Sequence, residues 1–116
     1  MATMSKALLS ANATGNPISL GVSGGKTTIH TGSGSSTAHI DLITVYLHNS
    51  NTQAELAVIE IAGTGQPLKF SLNPDETILA LDGVPVGGHG SSGLTVQGYS
   101  DTTDKVFAYG SVTKIR

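Results

Sequence analysis

Hydrophobic and polar residues alternate along most of this chain in short runs closed by small polar turns. The stretch AHIDLITVYLHNSNTQAELAVIEIA (38–62) holds two such runs, broken by Asn49-Ser50-Asn51-Thr52. Alternation with period two is the mark of a strand with one buried face. Pro17 to Val22 alternates through Ile18, Leu20 and Val22, and Gly24-Gly25 then signals a turn. Lys26 to Thr31 predicts a short strand with Ile29 inward, and Gly32 to Thr37 has the composition of a flexible loop.

His39 to His48 is the longest predicted strand. Its apolar set changes parity, from Ile40 and Leu42 to Ile43, Val45 and Leu47. A strand changes face only by inserting a residue, so the pattern calls for a β-bulge near Leu42-Ile43 or for burial on both faces. Glu55 to Ile61 is expected to pair with it. Leu68, Phe70 and Leu72 alternate strictly with Lys69 and Ser71. Asn73-Pro74-Asp75-Glu76 is a turn with proline at its second position. Ile78 to Leu81 is a strand closed by Asp82-Gly83, and Val84 to Gly93 reads as a glycine-rich crossing loop. Leu94, Val96 and Gly98 alternate with Thr95, Gln97 and Tyr99. After the polar turn Ser100–Asp104, Val106 to Ile115 is the last strand.

About eight strands at roughly ten-residue spacing, with no amphipathic helix, predict an all-β antiparallel sandwich or jelly roll. Residues 1–16 are small and polar apart from Ala7-Leu8-Leu9. They are expected to form an extended N-terminal arm with room for one short edge strand, and 17–116 a single sandwich domain.

Composition narrows the function. Of 116 residues, 38% are apolar and only 4% aromatic, with no Trp and no Cys. The core must be aliphatic, with Phe70, Phe107, Tyr46, Tyr99 and Tyr109 as its few large pieces. Zero Cys removes disulfides and Cys-ligated zinc from consideration. A net charge of −2, with Lys6, Lys26, Lys69, Lys105, Lys114 and Arg116 spread singly, lacks the basic stripe that nucleic acid requires. No apolar run approaches the ~20 residues of a membrane-spanning helix. The first residues do not read as a secretory signal, so synthesis in a cytoplasm is expected.

Candidate chemistry is sparse. Gly21-Val22-Ser23-Gly24-Gly25-Lys26-Thr27 resembles a phosphate-binding loop but is one residue short and leads into a β-branched run instead of a helix. A β-turn is the better reading. His30, His39 and His48 stand nine apart, which is not a chelating spacing on one element. Strand pairing can bring His30 near His39 with Asp41 beside them, but interface or surface histidines are the preferred account. Asp101 and Asp104 lack a full set of oxygen ligands for calcium. No carboxylate pair and no Gly-x-Ser-x-Gly elbow stands out. The expectation is a non-enzyme with no catalytic residues, no metal and no cofactor.

A resemblance gives the module a setting. Thr28-Ile29-His30-Thr31-Gly32 is followed by a strand with Asp41 and Tyr46, then by Asn49-Ser50, Ala57-Val58-Ile59-Glu60-Ile61-Ala62-Gly63-Thr64 and Asn73-Pro74. Gly83-Val84-Pro85-Val86-Gly87-Gly88 precedes Leu94-Thr95-Val96, and the chain closes with Val106, Gly110-Ser111-Val112 and a basic C-terminus. This order, over about residues 28–116, resembles small β-sandwich virion proteins of tailed bacteriophages. The chain departs from them in Lys69, its few aromatics and its long polar N-terminal stretch. The resemblance implies a capsid decoration (cement) protein of the virion, or a neck or tail accessory protein. Its partners would be the major capsid protein and further copies of itself, with a homotrimer expected from local three-fold capsid sites. The rival function is a glycan- or receptor-binding adhesion module, although scarce aromatics weaken sugar stacking. Contact candidates are Leu8, Leu9, Asn12 and Asn16 on the arm, Gly32, Ser33, Gly34 and His39 around the first loop, and Pro85, Gly87, Gly88 and His89 on the second.

Overall fold

The computed structural model describes residues 4–11, 14–32, 39–61, 67–87 and 94–116. The described strands form two antiparallel sheets packed face to face, so the all-β sandwich is as expected. They are β1 (Met4–Ala7), β2 (Ile18–Ser19), β3 (Thr27–Thr31), β4 (Ile40–Asn49), β5 (Glu55–Ile61), β6 (Pro67–Leu72), β7 (Thr77–Gly87), β8 (Thr95–Ser100) and β9 (Val106–Ile115). Sheet A runs β1-β9-β4-β7, with β2 also on β9, and sheet B runs β3-β8-β5-β6. The molecule is elongated, 48 × 25 × 20 Å.

The core lies between the sheets and is aliphatic. Ile29, Ile43, Val45, Leu47, Ala57, Ile59, Val96, Val106, Ala108 and Val112 are fully buried. The aromatics expected as core pieces lie elsewhere. Tyr46, Phe107 and Tyr109 stand on the outward rows of sheet A and Tyr99 on that of sheet B, while Phe70 packs only partly against the core. Gly98 is the tight point of the core: a β-carbon there would come within 3.1 Å of Ile29 and 3.3 Å of Leu20.

Strand pairing corrects several expectations. The β4–β5 connection crosses between sheets. β4 pairs with β7 and β9, whereas β5 pairs with β6 and β8. No bulge interrupts β4, and it is not buried on both faces. Its pairing with β9 is regular from Ile40 to Asn49, and the odd-numbered residues face inward throughout. The apolar run misled because Asp41 holds an inward place, while Ile40 and Leu42 point out. The register shifts fall on β7 instead, which carries extra residues opposite Ile43–Tyr46.

β7 itself runs on to Gly87, so Val84 to Gly87 is strand, not crossing loop. Pro85 is tolerated there because β7 is the edge of sheet A. Pro17 to Val22 contributes only a two-residue strand, because Leu20 turns into the core and Gly21 bridges to Tyr99 in the other sheet. In the turn at 73–76, Asp75 takes φ +59°, and Glu76 closes it by donating its N–H to Asn73 O (3.1 Å).

The N-terminal stretch is not a free arm over its described part. β1 pairs with β9 from Met4↔Ile115 to Ala7↔Val112. Leu9 is buried, and Ala11 N–H donates to Ile29 O (3.3 Å). The short edge strand allowed for this segment is therefore present, and it ties the segment down.

Candidate interaction surface

The polar residues buried inside the sandwich come first, because they decide whether a reactive centre exists. His30 on β3 and Asp41 on β4 belong to different sheets and are each 2% exposed. His30 Nε2 meets Asp41 Oδ2 at 2.7 Å, and Arg116 donates to Asp41 Oδ1 at 2.9 Å. Ser10 N–H donates to His30 Nδ1 (3.0 Å), and Ser10 Oγ accepts from Thr31 N–H (2.7 Å). A ring nitrogen that accepts carries no proton, so the imidazole proton sits on Nε2 and points at Asp41. Burial pushes the Asp41 carboxyl up, but the hydrogen bonds from His30 and Arg116 outweigh it and hold the group below its ordinary value.

Serine, histidine and aspartate are the residue types of a hydrolase triad, but the roles do not match. In a triad the serine hydroxyl donates to the ring nitrogen opposite the carboxylate. Here a backbone N–H fills that nitrogen. The cluster is a clasp that joins both sheets, the N-terminal segment and Arg116. It floors a depression of about 300 Å³ that Leu8 and Gly32 also line.

The far end of the sandwich is closed by a second polar plug. Asn49 Nδ2 donates to Gln53 O (2.9 Å) and to Leu72 O and Asn73 O (both 3.2 Å), while Asn49 Oδ1 accepts from Asn51 N–H. Glu55 accepts from Asn51 Nδ2 and from the N–H and hydroxyl of Thr102. Asp101 and Asp104 spend oxygens on Leu56 N–H and Ser19 Oγ. Gly21 to Thr27 closes on itself around a 3-10 turn at Ser23–Gly25, with Gly21 N–H donating to Thr27 Oγ1 (2.9 Å). Among the described residues, no group of three or more His, Cys, Asp and Glu is placed to hold a metal.

What remains open is the outer face of sheet A. Because β4 and β9 pair without interruption, their even- and odd-numbered outward residues form rows. Ile115 stands beside Ile40, Thr113 beside Leu42, Tyr109 beside Tyr46 and Phe107 beside His48. β7 adds Leu79 beside Tyr46 and Pro85 beside Leu42, and β1 adds Met4 beside Ile115. Tyr46 and Tyr109 stack with centroids 5.4 Å apart. Leu79 is 46% exposed, Tyr46 38% and Met4 66%. A hollow of about 380 Å³ opens beside them, lined by Pro17, His48, Ser50, Phe107 and Tyr109. The charged residues beside these rows stand on the edge strands: Lys6, beside Thr113 on β1, and exposed Asp82, in the stretch of β7 opposite Thr44 where the register shifts. Exposed apolar rows of this kind, here parted by the Thr44–Ser111 row, are where folded chains present binding surface.

The predicted contact residues divide. Pro85 belongs to this face, and Gly87 stands at its rim beside Ile40. Leu8 is exposed next to the clasp, and Asn16 is exposed, while His39 is half-buried just before β4. Leu9 and Gly32 are buried and offer no side chain to a partner. Asn12, Ser33, Gly34, Gly88 and His89 lie outside the described residues. Sequence reasoning left Tyr109 as a core or interface residue and did not name Tyr46 or Leu79 as a surface, because large side chains were expected to fill the core. The signal was there in the parity of β4: once Asp41 is inward, Tyr46 must be outward.

No family model, curated protein or solved structure matches this chain. Among the described residues no helix is long and apolar enough to cross a membrane.

Proposed function

We propose that the chain is a non-enzymatic structural protein of a virion, a capsid decoration protein that packs its sandwich against neighbouring protein on a tailed-phage head. The observation that carries this reading is the outer face of sheet A, where Tyr46, Leu79 and Tyr109 form one cross-strand row and Leu42, Pro85 and Ile40 lie beyond the Thr44–Ser111 row, with Lys6 and Asp82 on the edge strands. Burying apolar surface is worth roughly 25 cal/mol per Å², and the uncharged outward rows of β4 and β9 forfeit little of that to desolvation. Two polar plugs hold the ends of the sandwich shut, so the face is presented on a rigid frame. A protein that binds only the assembled shell stabilises it by mass action. The resemblance of residues 28–116 to small phage virion proteins supplies the shell as the partner.

The test is co-sedimentation of the purified protein with heads of the virus that carries it. Saturable binding and heads that survive higher temperature are expected. Tyr46→Arg should weaken that binding at least ten-fold. No binding by the wild-type protein overturns the reading, and saturable binding to one sugar class on a glycan array would replace it with the adhesion module.

A further inference from the structure

The geometry points to a second copy of this chain as the occupant of the sheet A face, in a two-fold dimer. This rests on the reading that the face packs against protein: it gives the face to a second copy, so that the pair is what meets the shell and Tyr46→Arg weakens head binding by parting the pair. Three features carry it: a knob, a hollow, and their placement either side of β4.

The knob is Leu79, on β7 beside Tyr46. The hollow lies on the other side of β4, over β9 and the approach to β2, where Pro17, His48, Ser50, Phe107 and Tyr109 surround about 380 Å³. Consider a two-fold axis running along β4 within the plane of contact. It turns one sheet face down on the other and carries β7 of each copy across β4 to lie over β9 of the other. Neighbouring strands are about 4.8 Å apart, so Leu79, one strand to one side, lands one strand to the other. It arrives above the Tyr109 row, at the mouth of the hollow, and by symmetry this happens twice. The contact is isologous, as a closed pair requires.

The other rows match under the same operation. Gly87 of the second copy meets Ile115, so a small residue faces a large one, and Pro85 meets Thr113. Tyr46, Leu42 and Ile40 lie along the axis and meet their own counterparts. Charge agrees as well. The outward rows of β4 and β9 carry no Asp, Glu, Lys or Arg, which suits a copy of themselves; Lys6 falls at the rim, where water remains, and exposed Asp82 of β7 comes toward the polar Ser111 of the other copy. Three strands of ten residues span roughly 500 Å² in projection, and corrugation by side chains brings this toward the ~800 Å² per partner of a standard interface. Sheet-on-sheet packing of aligned strands is the arrangement already used inside the sandwich.

Light scattering over a concentration series reads the outcome. The wild-type protein is expected to reach twice 11.8 kDa, and Leu79→Asp to stay at 11.8 kDa with an unchanged circular dichroism spectrum. Lys69→Asp, on sheet B, should dimerise like the wild type. A wild-type monomer, a trimer, or a Leu79→Asp variant that still dimerises overturns the inference. A monomer that nonetheless binds heads overturns the dimer alone, and a dimer that binds no heads overturns the decoration reading alone.

Discussion

The outer faces of the two sheets are made from strands of similar pattern, and they meet water differently. On sheet B the exposed side is covered by the chain's own long polar residues. Lys26 Nζ contacts Glu60 Oε1 at 2.7 Å and lies 5.9 Å from the centre of the Tyr99 ring. Val58, in register between Tyr99 and Lys69, is only 3% exposed although it points away from the core. On sheet A, Tyr46 of the central strand β4 and Leu79 of the edge strand β7 are left open. An outward hydrophobe on sheet B is thus part of the folded monomer. One on sheet A stays open to solvent in the monomer.

That contrast can be broken at several levels. The largest effect is expected from Gly110→Ala, which attacks the frame of face A. A β-carbon at Gly110 would run into the Thr44 carbonyl, 2.8 Å from its carbon and 3.1 Å from Val45 Cα. Both strands are central in sheet A, so a cost on the order of 3 kcal/mol is expected in urea unfolding.

Asp41→Asn follows. It leaves the shape of the clasp but removes the charge that Arg116 and His30 serve, at a cost of about 2 kcal/mol. The folded carboxyl sits below its ordinary value, so the unfolded chain takes up the proton first as pH falls. Asp41's contribution is complete above the unfolded carboxylate range, near pH 4, and is lost as pH drops through the folded value. Unfolding midpoints measured against pH should show a shallower acid loss in Asp41→Asn than in the wild type.

The comparison itself is sharpened by a matched pair of changes. Val58→Ser on sheet B should cost about 2 kcal/mol, and Leu79→Ser on sheet A no more than about 0.5, when both are measured at monomeric dilution. Equal costs would mean that face A is as self-covered as face B. The smallest effect is expected from Glu60→Gln. It releases Lys26, whose ammonium the Glu60 hydrogen bond and charge hold above the ordinary lysine value. With Glu60 buried and Lys26 open to solvent, the pair should give a slight drop in midpoint that shrinks in high salt.

Much of the fold was legible in the residues. The strict alternation of Leu68, Phe70 and Leu72, the run through Val96 and Gly98, the turn at Asn73-Pro74, and the runs at β4, β5 and β9 all sit where the pattern placed them. Pairing was not legible, because alternation names a face and not a neighbour. β4 and β5 looked like a hairpin and are in different sheets. The interaction surface was half visible: Pro85 and Gly87 were named, but for a loop that is in fact the edge strand. Tyr46 and Leu79 were hidden because a hydrophobe outside the core has the same sequence appearance as one inside it.

The sequence by itself determined an all-β chain of short strands, with an aliphatic core and no basic stripe, because these follow from period-two patterning and composition. The tertiary structure alone decided which side of β4 is inward. An acid in an apolar run is affordable there only because His30, from the other sheet, and Arg116, 75 residues away, converge on it. That one long-range pairing turns Tyr46 outward and makes face A what it is.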